Sequence, residues 1–252
     1  MQKSPFFTII TASLNNKASI RQVIESIKNQ SFQDFEHIII DGGSNDGTLN
    51  IIREYENRYN LNYISEPDQG IADALNKGLL RAQGQFILVI QADDQLLHTN
   101  VLRSLHGVIS KSQEDIHRFQ VLYDKNDSKN WAGPITRLKW WNRFRNIFPH
   151  QGVLVQRTLF DQIGFFNTEY TICMDYDFFY RALIADASIR SYNMPIALVA
   201  RGGISSNEHF LNKRLSEEFK IQGRNENNPL WRILQLVFWV LYKPYKRFLA
   251  SK

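Results

Sequence analysis

GQFILVIQADD, residues 84–94, sets an apolar run, Phe86 to Ile90, between a glycine and two adjacent carboxylates. A run without polar alternation reads as a strand buried on both faces, as in a parallel sheet. Open α/β sheets take their ligands at the carboxyl ends of such strands, which is where Asp93 and Asp94 would stand. Neighbouring carboxylates repel unless a cation lies beside them. Mg²⁺ or Mn²⁺ shared with a diphosphate suits these hard oxygen ligands. The alternative is a solvated turn whose aspartate caps the next helix.

Working outward, the flanking sequence alternates strand and helix. Phe6–Thr11 (FFTIIT) reads as a strand. Ile20, Val23, Ile24 and Ile27 follow at helical spacing, with Ser19 available as a cap. His37–Ile40 is a second strand ending at Asp41. The turn 42–48 (GGSNDGT) then opens an amphipathic helix carrying Leu49, Ile51, Ile52 and Tyr55. Leu61–Ile64 reads as a strand and Ile71–Arg81 as a helix. This order implies right-handed βαβ units, an α/β fold with a Rossmann-like, mostly parallel central sheet. Polar segments fall at successive strand ends: Thr11–Asn15, Asp41–Asp46, Glu66–Gly70 and Asp93–Asp94.

The length of 252 residues suffices for one α/β domain with a short appendage. A single cysteine, Cys173, excludes an internal disulfide and fits a reducing compartment. The first residues carry no apolar signal segment, so a cytoplasmic location is expected. Residues 1–228 hold 25 basic and 25 acidic side chains, and the whole excess of five lies in 229–252. That tail has no acid, and its apolar stretch Leu236–Tyr242 is too short to span a bilayer. Its Trp, Tyr, Lys and Arg suit a helix in the interface of an anionic leaflet. The interfacial reading is favoured, and the alternative is a helix packed on the domain or on a dimer partner with its basic groups turned outward.

A second basic stretch, Lys129–Arg157, has no acid and interleaves Arg137, Lys139, Arg143 and Arg145 with Trp140, Trp141 and Phe144. Such a pattern suits nucleic acid in principle. A segment facing a membrane or a lipid-linked diphosphate is preferred here, and no nucleic-acid partner is expected. A surface loop with buried tryptophans is the remaining alternative.

Several ordered motifs resemble the family 2 glycosyltransferases, nucleotide-sugar enzymes of the GT-A fold. They are FTIITASLN at the start, IIIDGGSNDGT (38–48), EPDQGIADALNKG (66–78), GQFILVIQADD, PHQ (149–151), GFFNTEY (164–170), MDYDFFYRAL (174–183) and GGIS (202–205). The resemblance spans roughly residues 6 to 205 and is nearest to small bacterial enzymes of colanic acid, capsule and O-antigen synthesis. It implies a domain over 1–228, with a nucleotide-binding half (1–95) and an acceptor-binding half (96–228), followed by the basic aromatic tail. It also implies metal-dependent, inverting transfer from a nucleoside-diphosphate sugar to a glycan, with a lipid-linked acceptor at the inner membrane face.

Residue by residue, the resemblance makes Asp94 the ligand of Mg²⁺ or Mn²⁺. Thr11, Asp41, Asp68 and Asp93 go to the nucleotide sugar, with Asp93 near the ribose. Asp175 becomes the base that deprotonates the acceptor hydroxyl, with Asp177 in second place, since residues two apart do not share a helix face. His150 is a candidate contact to the diphosphate or acceptor. The chain departs from the family at Gly42, where an acid is common, and at Leu14, where an aromatic is common. Two alternatives remain at this stage: a non-catalytic sugar-nucleotide-binding subunit and a nucleotidyltransferase. Against the latter, TASLNNK (11–17) lacks the glycines of a triphosphate loop.

Overall fold

The computed structural model describes residues 4–125, 128–131, 139–200 and 207–250. The GGIS segment and Arg137 lie outside the described residues. Four parallel strands build the first half: β1 (Phe7–Ser13), β2 (Phe35–Asp41), β3 (Leu61–Ser65) and β4 (Phe86–Val89). Helices α1 (Ile20–Lys28), α2 (Thr48–Arg53) and α3 (Ile71–Leu79) make the crossovers. These elements fall where the sequence periodicity predicts them. β4 is shorter than its apolar run, because after Ile90 donates to Ile10 O the chain leaves the ladder and turns at Asp93.

Beyond Asp94 the strands change direction. β5 (Gln95–Leu96) leads into α4 (Val101–Ile109), then β6 (Ile116–Lys125) and β7 (Ser128–Trp131). β8 (Val153–Gln156) and α5 (Arg157–Ile163) precede α6 (Met174–Ile184) and the long β9 (Ile189–Val199). Two helices close the chain, α7 (Leu211–Asn225) and α8 (Pro229–Ala250). The sheet runs β3-β2-β1-β4-β8-β6-β9-β5, with β7 paired to β6. β8 is antiparallel to both β4 and β6, so a parallel half and a mainly antiparallel half meet at β4.

Two apolar layers cover the sheet. Phe7 and Ile9 of β1 point to one face with Phe86 and Leu88 of β4, where α1 and α4 pack. Ile10 and Ala12 point to the other with Ile87 and Val89, where α3, α5 and α6 pack. This two-residue alternation produces a three-layer sandwich. The strand order reverses between β1 and β4, leaving a crevice at their carboxyl ends.

Candidate active site

Three parallel strands end in register at Ser13, Asp41 and Ser65. Asp41 is fully buried. Its carboxylate accepts bonds from the Ser44 hydroxyl, from Ser44 N at 3.1 Å and from Ser65 Oγ at 2.6 Å. A buried carboxylate needs such donors, and these fix the loop after β2 against β3. That loop is stitched to the one after β1: Asn15 N donates to Ser44 Oγ at 2.8 Å, Asn45 N to Asn15 Oδ1 at 3.0 Å, and Lys17 N to Asp46 Oδ2 at 3.0 Å. Asn15 takes a left-handed φ of 54° to do so.

Gly42 has a spatial role that its sequence position does not reveal. A Cβ there would collide with the carboxylate of Asp68, so Asp68 fills the space beside residue 42. Asp68 Oδ1 in turn accepts from Gly70 N at 2.8 Å. Lys77 clamps the same loop, donating to Pro67 O at 2.9 Å and pairing with Glu66 at 3.0 Å. Leu14 lines this corner with an exposed side chain.

Thr11 lies in the core, not on the crevice wall. It is fully buried and its hydroxyl donates to Ile90 O at 2.7 Å. The oxygen then accepts from His37 Nε2 at 3.0 Å, leaving His37 Nδ1 to accept from Tyr59 Oη at 2.6 Å. Burial pushes His37 down to about 3, so the imidazole is a neutral brace between β1 and β2.

Asp93 and Asp94 are not equivalent. Asp93 is exposed, whereas Asp94 is 2% exposed. Asp94 Oδ2 accepts from Gln151 Nε2 at 2.9 Å and Oδ1 from Ala200 N at 3.0 Å. Burial first, then the charge of Asp93, pushes Asp94 up to about 6. A cation at this pair would offset both effects, so the two carboxylates fit a divalent ion. No group of three or more His, Cys, Asp or Glu side chains among the described residues forms a metal cage. Two carboxylates therefore suit an ion that takes its other ligands from a diphosphate.

One short 3₁₀ turn, His150–Gly152, joins this pair to the base candidate. Gln151 holds Asp94, while His150 Nδ1 lies 3.5 Å from Asp175 Oδ2. Burial lowers the affinity of His150 for a proton, but Asp175, Asp94 and Asp93 together reverse this and raise its pKa. The His150 Nε2 atom is buried without a protein partner.

Asp175 also accepts from Asn146 Nδ2 at 3.0 Å and from Tyr176 N at 2.7 Å. Apolar side chains, among them Leu75, Val89, Met174 and Phe179, floor the cavity beneath the His150–Asp175 pair, and this low dielectric strengthens their interaction. Asp177 points elsewhere. It is buried, pairs with Arg181 Nε at 2.8 Å and accepts from Asn225 Nδ2 at 3.1 Å.

Sequence reasoning gave no role to Gln151, Asn146 or Glu217. Glu217 of α7 accepts from the backbone N–H groups of Thr171, Ile172 and Cys173 at 2.9–3.2 Å, fixing the entry to α6. PHQ carried a signal for Gln151; Asn146 and Glu217 have no local pattern.

The tail is a docked helix with two faces. Trp239 is buried and donates to Gln222 Oε1 at 2.6 Å, and Gln235 donates to Tyr180 Oη at 2.7 Å. Gln222 also donates to Phe144 O at 2.9 Å and to Tyr176 Oη at 3.0 Å. The opposite face leaves Leu230, Ile233, Val237, Val240, Leu241 and Phe248 exposed. No helix among the described residues is long and apolar enough to cross a membrane.

A parallel sheet with paired carboxylates at β4, opposed by a third carboxylate from α6, defines the class: a GT-A glycosyltransferase. The sequence profile described as glycosyl transferase family 2 matches residues 8–174, and the chain belongs to that family. It is 30% identical over 193 residues to a PGL/p-HBAD biosynthesis glycosyltransferase of Mycobacterium tuberculosis, covering 75% of this chain and 74% of the relative. The mannosyltransferase PcManGT of Pyrobaculum calidifontis, in complex with GDP-Man and Mn²⁺, superposes with a TM-score of 0.72 at 18% identity, over 99% of this chain and 74% of that one. TarS of S. aureus (residues 1–349) in complex with UDP-GlcNAc gives 0.69 at 19% identity, over 85% of this chain and 66% of that one. Family membership makes the chain a glycosyltransferase and sets aside the nucleotidyltransferase alternative.

Proposed function

We propose that the protein transfers a sugar from a nucleoside diphosphate to a glycan hydroxyl with inversion, in the assembly of a bacterial surface polysaccharide. The observation that carries this reading is the His150–Gln151 bridge between Asp94 and Asp175. It ties a diphosphate-side carboxylate and an acceptor-side carboxylate to one short turn, as a single displacement requires. Asp175 is the base: buffered between Asn146 and His150, it takes the proton of the incoming hydroxyl. His150 keeps Asp175 oriented. The crevice over Gly42, walled by Leu14 and Asp68 and braced by Asp41, receives the nucleoside.

Asp94, with Asp93 beside it, would hold Mg²⁺ or Mn²⁺. The ion's chemistry there is to neutralise charge on the departing diphosphate. The donors seen with PcManGT and TarS support a nucleotide-sugar substrate. The outward apolar face of α8, on an acid-free helix with Lys243 exposed, supports attachment to the inner membrane face.

The test is release of labelled sugar from a panel of nucleotide sugars, with and without Mn²⁺, in wild type and Asp175→Asn. Metal-dependent turnover of at least one donor, lost in the variant while that donor still binds, is expected. No donor bound or turned over by the wild type would sink the reading.

A further inference from the structure

Asn146, which donates to Asp175 Oδ2 at 3.0 Å, belongs to a stretch (146–149) that is neither helix nor strand. It follows the 3₁₀ turn Lys139–Arg143, and no ladder sets its distance from α6. Side chains do so instead. Two consecutive carbonyls, Arg143 O and Phe144 O, each accept from a buried glutamine: from Gln235 Nε2 of α8 at 2.8 Å and from Gln222 Nε2 of α7 at 2.9 Å. Each amide nitrogen also donates to a tyrosine hydroxyl of α6, Gln235 to Tyr180 at 2.7 Å and Gln222 to Tyr176 at 3.0 Å. Tyr176 and Tyr180 stand one turn apart on the same face of that helix. The two amides therefore clamp the segment to α6 at two successive points.

The surroundings dictate which way each amide faces. An indole N–H can only donate, and Trp239 Nε1 donates to Gln222 Oε1 at 2.6 Å, so Gln222 Nε2 is left for Phe144 and Tyr176. Tyr180 Oη gives its own hydrogen to Glu226 Oε2 at 2.9 Å and so accepts from Gln235. Gln222 is 2% exposed and Gln235 4%. An apolar residue at 222 would bury a carbonyl, a hydroxyl and an indole N–H without these partners, which is costly. The clamp adjoins Asp175 without touching it. Tyr176, the next residue in the chain, donates its backbone N–H to Asp175 Oδ1 at 2.7 Å, while Oδ2 is held by Asn146, two residues after Phe144. Gln222 thus joins the two parts of the chain that hold the two oxygens of the base. On the donor side, Asp94 takes bonds from Gln151 and Ala200, which lie outside the clamp.

We infer that Gln222 and Gln235 are positioning residues for glycosyl transfer: they hold Asn146 against the start of α6 and so aim Asp175 at the incoming hydroxyl. Through Gln235 and Trp239 the C-terminal helix becomes part of the support of the base, apart from anything its outer face does. The inference rests on the transferase reading with Asp175 as base. A base displaced by about 1 Å loses on the order of 100-fold in rate, so a clamp remote from the substrate acts on turnover and not on donor affinity.

The test follows hydrolysis of the labelled nucleotide sugar that the full-length wild type turns over with Mn²⁺, water serving as acceptor. Gln222→Met and Gln235→Met keep the length of the side chain and remove its amide. Trp239→Phe is milder, keeping a ring and losing only the N–H that orients Gln222, and it decides the matter if the other two fail to fold. Rates are expressed per molecule that binds donor. We expect kcat to fall about tenfold or more in Gln222→Met and about threefold or more in the other two, with donor KM within about twofold of wild type. Gln222→Met/Asn146→Ala should be no slower than Asn146→Ala, because residues that act through one contact are not additive. A purely structural glutamine would lower the melting temperature yet leave kcat per donor-binding molecule at the wild-type value. That result, or effects of Gln222→Met and Asn146→Ala that simply add, overturns the inference. Asp175→Asn is run beside them. Hydrolysis at the wild-type rate in that variant removes Asp175 as base, whereas a silent Asp175→Asn beside a fully active Gln222→Met defeats the clamp alone. Absence of turnover in wild type sinks the transferase reading and this inference with it.

Discussion

Gln151 Nε2 donates to Asp94 Oδ2 at 2.9 Å, and this one bond ties the β4 carboxylate pair to the turn that carries His150. The acid is 2% exposed, so its charge depends on donors from the protein. Its other oxygen is held by Ala200 N at 3.0 Å, a backbone group that only a proline would remove. Gln151 is therefore the adjustable half of the support.

Gln151→Ala should leave Asp94 with a single donor. A hydrogen bond to a charged group is worth about 1.5–3 kcal/mol, so kcat/KM for the donor should fall roughly 10- to 100-fold. Gln151→Glu should be worse, since it sets a third carboxylate beside Asp93 and Asp94. The check is steady-state kinetics at saturating and limiting Mn²⁺. A Gln151→Ala enzyme within twofold of wild type would mean that Ala200 N suffices.

Asp175 and Asp177 should separate cleanly. Asp175→Asn should lose transfer while donor binding and melting temperature hold. Asp177 is 2% exposed and pairs with Arg181 at 2.8 Å, so Asp177→Asn removes the counter-charge of a half-buried guanidinium that keeps its bonds to the carbonyls of Ile163, Gly164 and Phe165. A hydrogen bond between charged groups is worth about 1.5–3 kcal/mol, a fall of roughly 5 °C in a chain of this size. Residual activity per folded molecule should stay near wild type. Thermal melts beside active-site titration decide between the roles, and a stable but inactive Asp177→Asn would move the base to Asp177.

Gly42 and Asp68 should behave as one unit. Gly42→Ala drives a methyl group into the Asp68 carboxylate and should raise donor KM several-fold. Asp68→Ala opens that space, so the double variant should be no worse than Asp68→Ala alone. Residues in contact give coupling of about 0.5–3 kcal/mol in such a cycle. Donor binding by the four proteins provides the measurement; strict additivity would show that the two residues do not meet.

The parallel half was legible because its signals are local. Apolar runs at Phe86–Ile90 and His37–Ile40, helical spacing from Ile20 and the glycine-rich turn before Thr48 each fix an element without help from elsewhere. The antiparallel half was not. β8 and β6 find each other across the sheet, and no spacing rule links Val153–Gln156 to Ile116. The same limit governs the site. Asp94 and Asp175 stand out as acids beside apolar runs, but their support comes from Gln151 and Asn146, far away in sequence. Thr11, given to the nucleotide sugar by the resemblance, is buried, and its partner, the Ile90 carbonyl, lies 79 residues on. For the tail, the packed-helix alternative describes one face, which the apolar pattern of the sequence did not single out. The Trp239 face packs, and the Val240 face stays bare.

Glu218 should give the protein a stability that falls as pH rises. Its carboxyl sits at about 7, against an ordinary value of 4.5, chiefly through burial. The folded state therefore binds more protons than the unfolded state between those values, and unfolding free energy declines with pH across that window. The contribution is full below about pH 4.5 and lost above about pH 7, a loss of about 3 kcal/mol. Glu218→Gln should remove this slope and be more stable than wild type at pH 8. Denaturant melts at pH 5, 6, 7 and 8 test it, and parallel curves for the two proteins would refute it.

The outward face of α8 should bind anionic bilayers without contributing to the fold. Val240 is 72% exposed and Leu241 71%, so Val240→Glu/Leu241→Glu should change stability by little, as surface substitutions do. Each aliphatic side chain buried in the interface is worth about 1.5–3 kcal/mol, and the new acids would also face a negative surface. Partitioning to phosphatidylglycerol vesicles should therefore fall by more than tenfold. Trp239→Ala works through the opposite face: it removes a buried ring and its bond to Gln222, and should cost about 3–5 kcal/mol. Raised salt should weaken the wild-type interaction only in part, since screening reaches Lys243 and Arg247 but not the apolar contacts. Vesicle flotation and melting curves on the same preparations separate the two faces. If wild type ignores the vesicles and migrates as a dimer that the double glutamate variant splits, the face joins two copies of the chain and the membrane assignment fails.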